Sequence, residues 1–417
     1  MRNCWIVVVA LLESGAAVAQ EAPPLTLGWT LEELRAHNPE LRALAAERVA
    51  AWERVPQAQA LEDPTFSVQL WNFPFDRRPG AGSMIMYQLS QPLPFPGKRA
   101  LRGAVAESGA RLAAENVRTR EYEVIAQAKR LYYQLWANRV ARDINRRNQE
   151  LLEQFRKAAL GRVSTGSAGI ADVLRAETEK ARLATELVNL GRDRRALVAQ
   201  LNARLGRPAD APLGEPVDFF QSPVAYAYAD LLVAAVRQRP DLRAAGLELE
   251  RAERQVALAR RNRYPDFMPN VMLMQDLEMG LSWGGMIGVT IPIWAGQKQS
   301  RAVKEMSAMA LAARERQVAA RLEIESQVRA ALAGFESAAE RVRLLRDEVV
   351  PKARTTLDAV LAAYVTGRES LTAVLDSRRV LQDLELEHER ARAEAEQARA
   401  ELERAVGGEL QGVGRQR

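Results

Sequence analysis

Thiol chemistry is almost missing from this chain. Its single cysteine in 417 residues is Cys4. That residue sits ahead of the apolar run of a secretory signal: Arg2 gives the positive start, Trp5 to Leu12 the apolar stretch, and Ala17-Val18-Ala19 a small-residue cleavage site before Gln20. Loss of residues 1–19 is expected to leave a mature chain without a disulfide or a thiolate metal site. The alternative, a retained anchor, meets the difficulty that so short a run does not span a bilayer. Histidine is scarce too, at two residues. Long hydrophobic runs do not occur after Gln20, so any membrane crossing falls to a β-barrel. There is no Gly-rich phosphate loop and no nucleophile elbow, so neither an enzyme nor a bound cofactor is expected.

Aromatic residues make up only 6% of the chain, while Ala, Leu, Arg and Glu recur throughout and Gly and Pro cluster in a few places. This balance suits long helices lying side by side, not a thick globular core. The net charge is +6. Arg alternates with Glu along helical faces, which describes a solvated helix surface, and no nucleic-acid partner is expected.

What the chain does contain is an internal repeat. Asn38-Pro39 returns as Arg239-Pro240, an offset of 239 − 38 = 201. Asp63-Pro64 and Tyr264-Pro265, Thr165-Gly166 and Thr366-Gly367, Val173-Leu174 and Val374-Leu375, and Leu205-Gly206 and Val406-Gly407 keep the same offset. A period this long marks a duplicated unit, not a solenoid. The division expected is a first unit over 20–206, a Pro/Gly-rich connector over 207–223, a second unit over 224–407 and a tail over 408–417. Each unit opens with a helical segment (about 30–60 and 229–263), continues through two alternating runs, and ends in two long helices around a tight reversal. Heptad rows such as Val374, Leu381, His388, Ala395 and Leu402, or Leu183, Leu190 and Leu197, give those helices a coiled-coil seam. Pro351 predicts a kink or break. His37, before a helix-opening proline, and His388, in the seam, read as structural.

The alternating runs are 65–73, 83–91, 268–276 and 284–293, each near the length that crosses a bilayer as a tilted strand. One face is apolar (Ile85, Tyr87, Leu89; Ile287, Val289, Ile291, Ile293), as for lipid outside and lumen inside, although a half-buried sheet in a soluble protein alternates in the same way. Met84, Met86, Met272, Met274 and Met286 fall on the less apolar face. There they are either soft-metal ligands lining a lumen or ordinary gap fillers. Four strands do not close a barrel, so the strands imply an oligomer.

The duplicated plan, the junctions Gln91-Pro92-Leu93-Pro94-Phe95-Pro96-Gly97-Lys98-Arg99 and Ile291-Pro292-Ile293-Trp294-Ala295-Gly296, and the reversals at 161–166 and 364–367 together resemble TolC-type outer-membrane factors over nearly the whole mature chain. The proline-rich junction is similar to that of the heavy-metal efflux branch. The resemblance implies a mainly α fold with a small β part: a homotrimer with a twelve-stranded barrel in outer-membrane lipid and a twelve-helix tube in the periplasm. It further implies an exit duct, for metal cations in that branch, working with a periplasmic adaptor and a resistance–nodulation–division pump. A soluble periplasmic coiled-coil adaptor and a duct for organic compounds or secreted proteins are the alternatives. The junction residues Pro92, Pro94, Pro96, Gly97, Lys98, Pro292 and Gly296 have geometric roles. By the resemblance, the turns with Arg162, Val163, Thr165, Gly166, Thr366 and Gly367 dock the adaptor. Asp172 and Tyr364 fall on positions of the gate network, and Asp376 on one of two acidic pore positions, the other being Ala373. Glu369 occupies the usual arginine position, so Arg368 is expected to pair with Asp172. Three copies of Asp376 are expected to form a cation-attracting ring, against the alternative of solvated charges near a helix start.

Overall fold

The computed structural model of the chain describes residues 23–73, 82–164, 169–219 and 225–410. The expected signal, Thr165, Gly166 and the end of the tail lie outside the described residues. Helices α1 (Leu27–His37) and α2 (Pro39–Gln59) lead into strands β1 (Thr65–Trp71) and β2 (Met84–Ser90), then helices α3 (Lys98–Ser164) and α4 (Ile170–Arg204). The order then recurs: α5 (Tyr228–Gln238), α6 (Pro240–Arg261), β3 (Asp266–Asp276), β4 (Gly280–Thr290), α7 (Gln299–Leu344), α8 (Val350–Val365) and α9 (Leu371–Val406). The fold is mainly α with one four-stranded sheet, as the sequence implies. At 67 residues, α3 runs roughly 100 Å.

The segments read as single helices at the head of each unit are two helices apiece. Proline disfavours helical geometry in the residue before it, and Asn38 and Arg239 are extended, with ψ of 119° and 121°. The break has a use that recurs in both units. Asn38 Nδ2 donates to the Arg204 carbonyl at 2.7 Å, and Arg239 Nη1 donates to the Ala405 carbonyl at 3.1 Å. The residue before each proline thus closes the C-terminal end of its unit's last helix. Gly206 and Gly407, left-handed at φ +68° and +80°, let the chain pass close to that corner.

Pro351 does not break the helix. A five-residue π turn, Leu345–Val349, precedes it and leads without interruption into α8, where Pro351 occupies the first turn. Proline has no N–H to give, and a π turn is one way a helix absorbs the lost bond.

The sheet is antiparallel in the order β1-β2-β3-β4. The fourth strand begins at Gly280 and stops at Thr290, so Ile291 and Ile293 lie beyond the ladder. Pro292 has no ladder donor to continue it. Register places Phe66, Val68 and Leu70 beside Leu89, Tyr87 and Ile85, then Val271 and Leu273, then Val289, Ile287, Trp283 and Leu281. This face is apolar across all four strands and lies open, with Trp283 79% and Ile287 72% exposed. The sheet's substantial contacts are strand to strand, and no helix lies across either face among the described residues.

The helices carry the core. Around the middle of α3, Tyr132, Tyr133 and Trp136 pack with Leu25, Leu201, Leu205, Leu213 and Phe219. The connector is strapped there: Trp136 Nε1 donates to Asp218 Oδ1 at 3.0 Å, and Leu25 exchanges backbone bonds with Glu215 and Val217. At the far end Leu152, Val173, Leu183, Leu357, Leu371 and Val374 join both hairpins in one apolar cluster. Of the heptad residues, Val374, Leu381, Ala395, Leu402, Leu183 and Leu190 are buried.

Candidate functional site

The candidate residues gather at the two ends of the long helices. At the sheet end, β2 leaves the ladder through Pro92, Pro94 and Pro96, residues that cannot donate to it. Leu93 keeps one antiparallel bridge to Phe267. Gly97, left-handed at φ +90°, turns the chain into α3, and a side chain there would stand 3.3 Å from the Arg261 guanidinium. Lys98, the first residue of α3, is buried. Its Nζ donates at 2.8 Å both to Asp266 Oδ1 and to the Tyr264 carbonyl. Asp266 also accepts from the Phe95 N–H at 2.7 Å. Arg261 donates to the Pro96 carbonyl at 2.8 Å and lies 5.0 Å over the Phe95 ring, which stacks on Tyr264 at 4.8 Å. The first unit's junction is therefore clamped onto the start of the second unit's strand. Lys98 stands out in the sequence. Asp266 and Arg261 do not, because they meet the junction only through the register of β2 on β3.

The second junction has no such cover. Residues 291–298 form successive turns, with Ile293 and Trp294 74% and 66% exposed. Gly296 shows no positive φ and no close neighbour, so Pro292 acts as a ladder stop and Gly296 does not repeat Gly97.

At the far end, α8 closes with Gly367 at φ +73° and the Arg368 N–H bonded back to the Ala363 carbonyl. This is a left-handed cap in which the residue beyond the glycine reaches the carbonyl five before it. The Thr366 hydroxyl donates to Ala363 O at 3.0 Å, and the Ser370 side chain caps α9 by accepting from the Ala373 N–H. Two contacts tie the hairpins together: the Arg162 guanidinium lies 4.9 Å over the Tyr364 ring, and Arg175 donates to Thr372 Oγ1 at 2.8 Å. Asp172 takes a partner other than the expected Arg368. Arg175, one turn along α4, stands 3.5 Å from it, which geometry favours because the two share a helix face. Arg368, Glu369 and Asp376 are exposed, and among the described residues no ion pair holds them. Val163 packs against the apolar cluster. Slightly higher, Glu153 accepts from Arg156 and Lys180, which lowers its pKa to about 2 and fixes α3 to α4.

Among the described residues no group of three or more His, Cys, Asp or Glu side chains could hold a metal ion, and no helix is long and apolar enough to cross a membrane. The methionines do share one sheet face. Met86 is directly opposite Met274, Met84 is opposite Asp276, Met272 is opposite Gln88, and Met286 is opposite Asn270.

Two long helical hairpins hang from a small sheet with an open apolar face, and the order of elements is duplicated. Residues 231–408 match the family described as outer membrane efflux protein. The chain is 23% identical over 389 residues to the cobalt-zinc-cadmium resistance protein CzcC of Cupriavidus metallidurans, covering 89% of this chain and 91% of that one. Its fold is that of the transmembrane channel CusC (TM-score 0.79, 16% identity, 94% and 96% of the two chains). The same holds for the outer membrane protein VceC of Vibrio cholerae (TM-score 0.77, 17% identity, 92% and 96%).

Proposed function

We propose that three copies of this chain close a twelve-stranded barrel in the outer membrane, continuous with a helical tube through the periplasm. The assembly is the passive exit duct of a tripartite pump, served by a periplasmic adaptor and a resistance–nodulation–division transporter. One observation carries the reading: a four-stranded sheet with an uncovered apolar face and two unpaired edges, joined to helices about 100 Å long. Such a sheet is stable only where lipid covers the face and further strands cover the edges. Metal cations are the proposed cargo, in keeping with the printed role of CzcC. The arrangement also supports the division into two units around residues 207–223, and placement of the Arg162–Tyr364 and Arg175–Thr372 contacts at the periplasmic tip, where Val163, Thr165, Gly166, Thr366 and Gly367 offer the adaptor its turns.

The repeat specifies how the barrel closes. β1 pairs with β2 from Thr65 opposite Ser90, and β3 with β4 from Asp266 opposite Thr290. β3 thus repeats β1 at an offset of 201 residues, and β4 repeats β2 at 200. Carrying the β2–β3 register across to β4 and the next protomer's β1 sets Thr290 opposite Gln69 and Val289 opposite Leu70. Both pairs keep to their faces. The exposed Ile293 and Trp294 then cover the next protomer's strand start, as the first junction covers β3. Paired Gln69→Cys and Thr290→Cys substitutions, in a Cys4→Ser background, are expected to give a covalent trimer on mild oxidation of outer-membrane extracts. Monomer alone, or linkage only from Gly288→Cys in place of Thr290→Cys, would refute this closure.

A further inference from the structure

Six of the ten methionines, Met84, Met86, Met268, Met272, Met274 and Met286, lie on the face of the sheet opposite the apolar belt. A gap-filling role needs a core to fill. This face has none, because no helix lies on it among the described residues, and Met268 and Met286 are 43% and 50% exposed. On a face bordering a water-filled bore, polar side chains are the ordinary choice. Thioethers there need another reason.

Their geometry supplies one. Met86 and Met274 are a direct cross-strand pair, and Met84 and Met272 are the diagonal neighbours, within reach of long side chains. Opposite Met272 stands Gly284. Met272 Sδ lies 3.8 Å, and Met274 Cε 3.6 Å, from where a side-chain carbon would be on that glycine. Both methionines therefore fold over the same bare patch of β4. Some of the harder donors nearby are already engaged. Gln88 donates to Asn270 at 3.1 Å, and Asp276 accepts from the Glu278 and Met279 N–H groups. Gln69 stands opposite Met86 and Ser282 opposite Met274, so the sulfurs share the patch with these two neutral oxygen donors.

We propose that Met86, Met272 and Met274, with Met84 beside them, form a thioether site for a soft monovalent cation, Cu(I) or Ag(I), on the water-facing side of the barrel. Thioethers are neutral and soft, and they prefer such ions to Zn(II) or Co(II). Neutral ligands also hold an ion without trapping it, as a conduit requires. The site rests on the duct reading, which makes this face the bore.

The test uses the purified trimer in detergent, titrated with Ag(I) and followed by calorimetry and silver X-ray absorption, with bilayer conductance recorded on the same preparation. One silver ion per chain with a sulfur first shell is expected, and no comparable binding of Zn(II). Met272→Leu with Met274→Leu keeps the apolar volume and should weaken silver binding at least about tenfold, as disturbing a ligand shell does, with conductance retained. An oxygen or nitrogen shell, or unchanged affinity in that variant, overturns the site while normal conductance leaves the duct standing. A wild-type trimer without conductance overturns the duct and this site with it.

Discussion

Replacing Gly206 by alanine should be among the most damaging single-methyl changes in the chain, and the structure says by how much it should exceed its counterparts. Three glycines share left-handed geometry: Gly206 at φ +68°, Gly407 at +80° and Gly367 at +73°. For each, alanine carries a backbone cost of about 1–3 kcal/mol, of which roughly 0.4–1 kcal/mol is offset by a less mobile unfolded chain. What separates them is space. A methyl carbon on Gly367 meets nothing within 4 Å, on Gly407 it meets Arg239 Cα at 3.0 Å, and on Gly206 it meets the His37 carbonyl oxygen at 2.4 Å. The last is backbone and cannot rotate away. Relief requires moving the His37-Asn38 corner, which strains the Asn38 bond to Arg204 and adds roughly 1–3 kcal/mol of overpacking cost. Guanidinium midpoints and thermal melts by far-ultraviolet circular dichroism, on detergent-purified variants, should rank the losses Gly206→Ala, then Gly407→Ala, then Gly367→Ala, with the first about 2 kcal/mol or more beyond the last. Equal losses at Gly206 and Gly367 would show that backbone conformation alone fixes these glycines and that the close approach is irrelevant.

Two further outcomes concern charge. Burial pushes the Glu396 carboxyl pKa up against its link to Tyr133. The folded state then holds the proton more tightly than the unfolded one, and stability falls as pH rises from the ordinary carboxylate range through the raised value. Glu396→Gln should therefore melt higher than wild type at alkaline pH, with the gap closing on acidification; a gap independent of pH would disprove the assignment. Asp376 is exposed near the start of α9. If three copies ring the bore, Asp376→Asn should relieve block of single-channel current by multivalent cations, and unchanged block would dissolve the ring.

Much of this fold is legible because its repeat is written in residues that touch. Asn38 and Arg239 before their prolines, and Gly206 and Gly407 past the last helices, keep the same spacing because each pair builds the same corner. Strand faces are legible from alternation. Their ends are not: Ile291 and Ile293 continue the pattern past the point where Pro292 stops the ladder. The π turn before Pro351 leaves no mark in the apolar rhythm. The contacts at both ends are least legible, since Lys98 meets Asp266, Arg175 meets Thr372 and Arg162 meets Tyr364 across the two units. Local patterns carry no information about partners so distant, whereas the Arg175–Asp172 pair, three residues apart on one helix, is of the kind they do carry.

The π turn has a mechanical consequence. The 46 residues of α7, the 5 of the π turn and the 16 of α8 match α3 in residue number. One strut is an unbroken rod. The other carries a compliant joint roughly 24 Å from its tip. A lateral load is borne stiffly by the first and concentrates as bending in the second. In the proposed ring of three copies, stiff and jointed struts would alternate six times around the mouth. The opening then yields as a triangle, with three corners held and three walls giving way, and not as an evenly widening circle.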